Sequence, residues 1–304
     1  MRVSTQMLFE NGAGRLGELQ SGLMRTQSQI ASGRRMLSPS DDPVGAAQAL
    51  EISQSQAINT QHGVNRQQAK SALGLVEDTL GSVTSLLQDV KTTIVAAGNA
   101  TLTDVERGFM ASELRGRFEQ LIGLANTRDG MGNYMFSGYQ TATPAFVEVP
   151  GGAQYQGDPG QRLIQVDANR QMAINATGAS VFQGGGQDIF ATLSELVTLL
   201  QTPVVDAASR AALDAGLGTA NGRLDTALDN VLTVRASIGA RLQELDAFDN
   251  LGEDRNIRYS ETLSGLQDLD YTEALTRLTQ QQVTLEAAQR TFVSVSGLSL
   301  FNYL

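Results

Sequence analysis

Two stretches near opposite ends of this sequence carry the same pattern, and neither can satisfy it alone. Tyr271, Ala274, Leu278, Gln281, Leu285, Ala288, Phe292 and Val295 recur at alternating steps of three and four, and only Gln281 among them is polar. That is the spacing of a coiled-coil seam. The other face of the same stretch carries Glu273, Arg277, Gln280, Gln282, Glu286, Gln289 and Arg290, so this helix has one apolar stripe and needs a neighbour to cover it. Phe9, Gly12, Leu16, Leu19, Leu23, Thr26 and Ile30 step in the same way at the other end, with Thr26 the one polar member. Two such seams meet only if the chain doubles back, which predicts paired N- and C-terminal helices and a long folded-over middle. An ordinary globular protein with an amphipathic helix at each end would share the pattern.

The middle reads as long helices around a small change of character. The first helix should end near Gly33, since glycine readily takes the left-handed conformation found after helix ends. Asp42-Pro43 then reads as an N-cap and first helical residue. From Pro43 the helical signal runs to about Gly98, with Gly63 and Gly74 as candidate bends, and its second half holds Leu73, Val76, Leu80, Val83, Leu87, Val90, Ile94 and Ala97 in one seam. A helix of that length approaches about 80 Å, which predicts a rod-like molecule. Thr103 and Glu106 form a capping box ahead of Ala111, Leu114, Phe118, Leu121 and Ala125, and that helix should stop at Asp129-Gly130.

Residues 131–186 are rich in glycine and proline. Alternating runs over 162–167 and 171–175 flank a turn-like Ala168-Asn169, so this stretch reads as a small β-rich insertion. Helix resumes at Asp188 to Leu200, breaks at Pro203, and restarts near Asp206 as a second very long seam: Leu217, Ala220, Leu224, Ala227, Val231, Val234, Ile238, Arg241, Leu245 and Phe248. Arg241 is out of place there, and Gly252 breaks the phase. Asp268 or Asp270 caps the last helix. The fold class is thus mainly α with a small β-rich insertion: paired terminal coiled-coil helices, a long antiparallel helix bundle and a central β domain. The expected parts are 1–42 and 269–304 as the two halves of the coiled-coil domain, 43–133 and 187–268 as the halves of the bundle, and 134–186 as the insertion.

Charge and inventory exclude several functions. The net charge is −10, which is the wrong sign for a nucleic-acid binder or an anionic membrane surface. No apolar run approaches the roughly 18 residues of a spanning helix, so no membrane insertion is expected. Residues 1–7 have no apolar core and give no Sec-type signal peptide, so the protein stays in the cytoplasm or leaves by another route. Cysteine is absent and His62 is the single histidine, which removes thiol chemistry, His–Cys metal clusters and a histidine-bearing serine triad. Asp41 and Asp42 could hold a metal but read better as caps. Gly184-Gly185-Gly186 lacks the Lys-Ser/Thr of a phosphate loop and reads as a linker. No catalytic residue, cofactor or metal is expected, and the chain is read as no enzyme.

Four separated segments carry a resemblance: the opening MRVSTQMLFENG, IASGRRMLSPSDDPVGAAQALEISQSQ over 30–56, GNYMFSGYQTATPAF over 132–146, and the ending LTQQQVTLEAAQRTFVSVSGLSLFNYL. Together they resemble the flagellin superfamily, and within it the proteins of the hook–filament junction. The resemblance implies an inner coiled coil of the terminal helices, a helix bundle outside it and a solvent-facing β domain. It also implies self-association in a ring or helical layer, with the first hook-associated protein on the hook side and flagellin on the filament side. Export would run through the flagellar type III channel without a cleaved signal, to an extracellular place on the flagellum, with a cytoplasmic chaperone shielding the C-terminal helix at Leu278, Leu285, Phe292 and Val295.

The residues expected to serve inter-subunit and terminal-seam contacts are Phe9, Leu16, Leu19, Leu23, Ile30, Leu278, Leu285, Phe292, Val295, Leu298, Phe301 and Leu304. Both terminal segments are expected to be poorly ordered in the free subunit and to fold on packing against neighbours. The alternatives are flagellin itself, which shares the architecture, and a cytoplasmic coiled-coil scaffold that never leaves the cell.

Overall fold

The computed structural model describes residues 2–297. In chain order the elements are α1 Arg2–Ser32, α2 Pro43–Ala97, α3 Asp104–Ala125, β1 Phe146–Val149, β2 Gly152–Tyr155, β3 Leu163–Asp167, β4 Arg170–Ala173, α4 Gly178–Phe182, α5 Ile189–Gln201, α6 Ala207–Gln267 and α7 Tyr271–Gly297. They form two compact units, Met1–Asn59 with Glu253–Leu304, and Thr60–Gly252.

The 60–252 unit is organised by the seams of its long helices. All eight seam residues of α2 from Leu73 to Ala97 are buried, as are Ala111, Leu114, Phe118, Leu121 and Ala125 of α3. Leu217, Ala220, Leu224, Ala227, Val231, Ile238 and Leu245 of α6 join the same core, with Val234 and Phe248 half-buried against it. Arg241 is the exception in the pattern and serves the insertion instead, its Nη1 donating to Ala173 O of β4 at 3.2 Å. Thr103 and Glu106 form the reciprocal capping box, which holds the Glu106 carboxyl below its ordinary range through the Thr103 N–H and hydroxyl.

The insertion is two antiparallel hairpins. Phe146 pairs with Tyr155 and Val149 with Gly152 in the first. Its turn is Pro150-Gly151, where Gly151 takes a φ of 88° that suits glycine after proline. The second hairpin pairs Leu163 with Ala173 across the Ala168-Asn169 turn and bulges between Gln165 and Asp167. Phe146, Phe182 and Phe190 meet with ring centroids 4.7–5.7 Å apart, and Phe136, Tyr155 and Phe118 extend this knot. The aromatic knot joins β1, α4 and α5 to α3.

A charged lock fastens the bulged strand to the long helices. Arg66 is only 3% exposed. It donates through Nη1 to Val166 O at 3.0 Å and through Nε to Asp249, while neighbouring Asn65 donates to Gln165 O at 2.8 Å. Lys70 reaches both Asp246 and Asp249 at 2.6 Å. A side chain at Gly252 would run into the Arg66 guanidinium, so glycine makes room for the buried cation. Burial alone would push the Asp249 carboxyl up, but hydrogen bonds from Arg66 and Lys70, with their charges, hold it below its ordinary range. Burial pushes Lys70 down, and the two aspartates raise it on balance.

A lowered carboxyl contributes stability that is present above its unfolded pKa and lost as pH falls through the folded one. A raised lysine contributes stability that is present below its unfolded pKa and lost as pH rises through the folded one. The melting temperature should therefore fall on acidification below about pH 4, and Asp249→Asn should flatten that limb of the Tm–pH curve. An unchanged acid limb would remove this cluster from the explanation.

Three readings of the sequence are corrected. Helix α3 stops at Ala125 rather than at Asp129-Gly130, because the Asn126 side chain leaves the helix to exchange two hydrogen bonds with the Phe146 backbone, at 2.8 and 2.9 Å. Asp129 instead closes the following turn by accepting the Met131 and Asn133 N–H groups. Helix α2 is uninterrupted through Gly63 and Gly74, and α6 continues through Gly252, because packing outweighs the roughly 1 kcal/mol helix penalty of a glycine. The triple glycine lies against α6, where Gly184 leaves no space beside Asn230.

Candidate assembly surface

In the other unit α1 and α7 lie antiparallel, and one register runs along their length. The rings of Phe9 and Phe292 sit 5.1 Å apart. Gly12 faces the Phe292 ring so closely that a Cβ there would stand 2.8 Å from it, Gly22 faces Gln281, and Gly33 faces the Tyr271 hydroxyl. Gly33 takes a φ of 69° and ends α1, as glycine does after a helix.

Immediately beyond, the two connections are stitched together. Arg35 N–H donates to Gln267 O at 2.8 Å, Leu269 N–H to Gly33 O at 3.0 Å, and the Arg35 guanidinium caps Leu266 O at 2.8 Å. Asp42 caps α2 by accepting the Gly45 N–H at 2.9 Å, which lowers its pKa, and Asp41 accepts from Leu37 and Ser38 while pairing with Arg25. Both carboxylates are therefore engaged in holding the connection. Asp270 caps α7 through the Thr272 and Glu273 N–H groups.

Of the expected seam residues, the structure brings Phe9 of α1 against Phe292 of α7, while Leu16, Leu19, Leu23 and Ile30 of α1 and Leu278 and Leu285 of α7 are each partly buried. Val295 remains 56% exposed. Leu298, Phe301 and Leu304 lie outside the described residues. One neighbour covers a helix only on one side, so most of these side chains are half-buried, and Thr26 and Ala274 alone among the seam positions are fully buried. Gln281 sits in the seam with its Oε1 out of solvent and unpaired, a polar position of the kind that specifies register at a cost in stability.

The outward faces carry more apolar surface than the seam pattern suggests: Met7 and Met24 on α1, and Leu275, Val283 and Val293 on α7, are each more than half exposed. Seam spacing does not point to these five, because they interrupt polar faces singly. His62 is partly covered on α2, and Asn175 of one glycosylation-type sequence is buried and bonded to Arg162 N and Gly160 O.

The comparisons with known proteins decide the family. Residues 3–141 match the bacterial flagellin N-terminal helical region. Flagellar hook-associated protein 3 of Escherichia coli K12 is 37% identical over 315 residues, covering 99% of each chain. The chain belongs to the flagellar hook-associated protein 3 family. Flagellin of Listeria monocytogenes is 23% identical over a comparable span, so the hook-associated proteins, not the flagellins, are the nearer kin. The crystal structure of flagellar hook-associated protein 3 from Legionella pneumophila has the same fold, with a TM-score of 0.67 and 21% identity, and covers 71% of this chain and 98% of its own. Hook-associated proteins of this family are structural components of the flagellum rather than enzymes. No described helix is long and apolar enough to cross a membrane.

Proposed function

We propose that this chain forms the layer joining the hook-side junction protein to the flagellin filament, with copies of itself as lateral neighbours. The observation that carries the reading is the incomplete cover of the α1–α7 pair: its seam is half-buried and its outer faces expose Met7, Met24, Leu275, Val283 and Val293. A seam left half in water beside further exposed apolar side chains favours neighbours over water. In this reading residues 1–42 and 269–304 make the inner contacts, 43–133 and 187–268 form the surrounding bundle, and 134–186 face outward. The chain leaves the cell by the flagellar export route without cleavage and ends on the extracellular flagellum. A cytoplasmic chaperone binding Leu278, Leu285, Phe292 and Val295 would compete with α1 at Phe292, which packs against Phe9 and Gly12.

The test is location and copy number. An epitope-tagged chain should be recovered with sheared flagella, at the hook end of the filament, in the amount of a single layer. Label spread along the filament would favour a filament subunit, and label confined to cells would favour a cytoplasmic scaffold.

A further inference from the structure

The 60–252 unit carries an apolar knob at one end of its helices and an apolar recess toward the other. At the α2–α3 junction Val95, Val105, Phe109 and Val205 are all largely exposed, Phe109 by 70%. Val204 N–H bonds Asp104 Oδ1 at 3.3 Å, which brings Val205 against the start of α3. Far along α2, Leu75, Val76, Met135 and Ile174 wall a cavity of about 270 Å³ that Arg162 also lines. At about 30 Å³ per water, that space holds roughly nine waters, enough room for an aromatic side chain.

The charge is matched as well as the size. Arg162 Nε is shut off from solvent with no acceptor, and its guanidinium makes no ion pair among the described residues. Asp129 stands on the same wall, but its oxygens are taken by Met131 N–H, Asn133 N–H and the Asn133 amide. Arg162 as a whole is only partly buried and its charge helps to lower the Asp129 pKa, so what lacks a partner is the enclosed Nε–H, and a buried donor left without an acceptor is costly. Glu113 lies one helical turn from Phe109, about half exposed, with only a loose 3.9 Å approach to Arg117. The knob therefore presents an aromatic ring with a carboxylate beside it, and the recess an apolar hollow with a cation.

We propose that Phe109 of one copy enters the Leu75–Ile174 recess of the next, with Glu113 supplying the carboxylate for Arg162. The contact joins two different patches, so it repeats from copy to copy, as a ring or helical layer requires. It deepens the junction reading and rests on it, because it needs copies of the chain side by side.

The absence of cysteine makes the test clean. Arg117 of α3 pairs with Asp89 of α2 at 3.3 Å, and from that level Phe109 and Ser71, which lines the recess, lie in opposite directions. At about 1.5 Å per residue they are roughly 40 Å apart within one copy. A disulfide needs Cα atoms within about 7 Å, so a bond between F109C and S71C must join two copies.

In a strain lacking the gene, flagella carrying the F109C/S71C chain should give a covalent ladder on oxidation, and each single variant should give none. Restored filaments without a ladder would overturn the contact and leave the junction reading standing, as would dimers from F109C alone, which would mean that the knob meets itself. If even the unaltered chain fails to restore filaments, the junction reading fails first. A charge exchange gives an independent readout: R162E and E113R should each cut swimming roughly tenfold, and the double variant should recover it. Purified R162E should melt as the parent chain does. Failure of recovery with that melting intact would overturn the pairing.

Discussion

Leu285→Asp should abolish filament attachment while leaving the melting of the 60–252 core unchanged. Leu285 is partly buried on α7, between Gln281 and Phe292, the two positions that meet Gly22 and Phe9 of α1. A carboxylate there would be drawn out of water without a cation on the seam, at a cost of about 2–3 kcal/mol. The helix pair has little with which to offset this, since a single neighbour leaves most of its apolar atoms half in water. Leu285 belongs to the unit of residues 1–59 and 253–304, not to the 60–252 unit, so circular dichroism should still show the cooperative transition of the latter, with only the terminal helix signal reduced. Glu286→Gln, next in sequence on the exposed face, should be neutral in both assays. Filaments attached normally to L285D hooks would mean that the seam is not what holds the layer together.

Phe146→Ala should be the most destabilising single change in the 60–252 unit, by about 3–5 kcal/mol. The side chain is 1% exposed and touches three other rings, with centroids 4.7 Å from Phe190, 5.2 Å from Tyr155 and 5.5 Å from Phe182. Truncation leaves a hollow that four different elements would have to collapse to fill. The adjoining Val147 points to the other face of β1 and is about half exposed, so Val147→Ala should stay within about 0.5 kcal/mol. Denaturant titration of both variants compares them directly, and equal midpoints would contradict the aromatic knot as the organiser of the insertion.

What could be read from the sequence was whatever depends on spacing within one element. The seam of α2 from Leu73 to Ala97, the Thr103–Glu106 box, the Gly33 stop, the Asp42-Pro43 start and the turn at Ala168-Asn169 are all local patterns, and all are present. The readings that failed involve partners far along the chain. Asn126 leaves its helix for a strand twenty residues on. Gly252 reads as a break until Arg66 is seen to need the space. The Pro150-Gly151 hairpin and the five-residue α4 are too short to show a period, and they are held by the Phe190 ring of α5.

The assembly surface divides the same way. The pairing of α1 with α7 was legible because two matching stripes demand each other. The Phe109 knob was not, because an exposed phenylalanine in a polar stretch carries no periodic signal, and Arg162 is unusual only once its surroundings are known.

The most direct test of a junction role is to delete the gene and examine both the cells and the medium. A chain that joins filament to hook predicts hooks left intact, no filaments on them, and unpolymerised flagellin accumulating outside the cell. Filaments of normal length on the deletion strain would contradict the account.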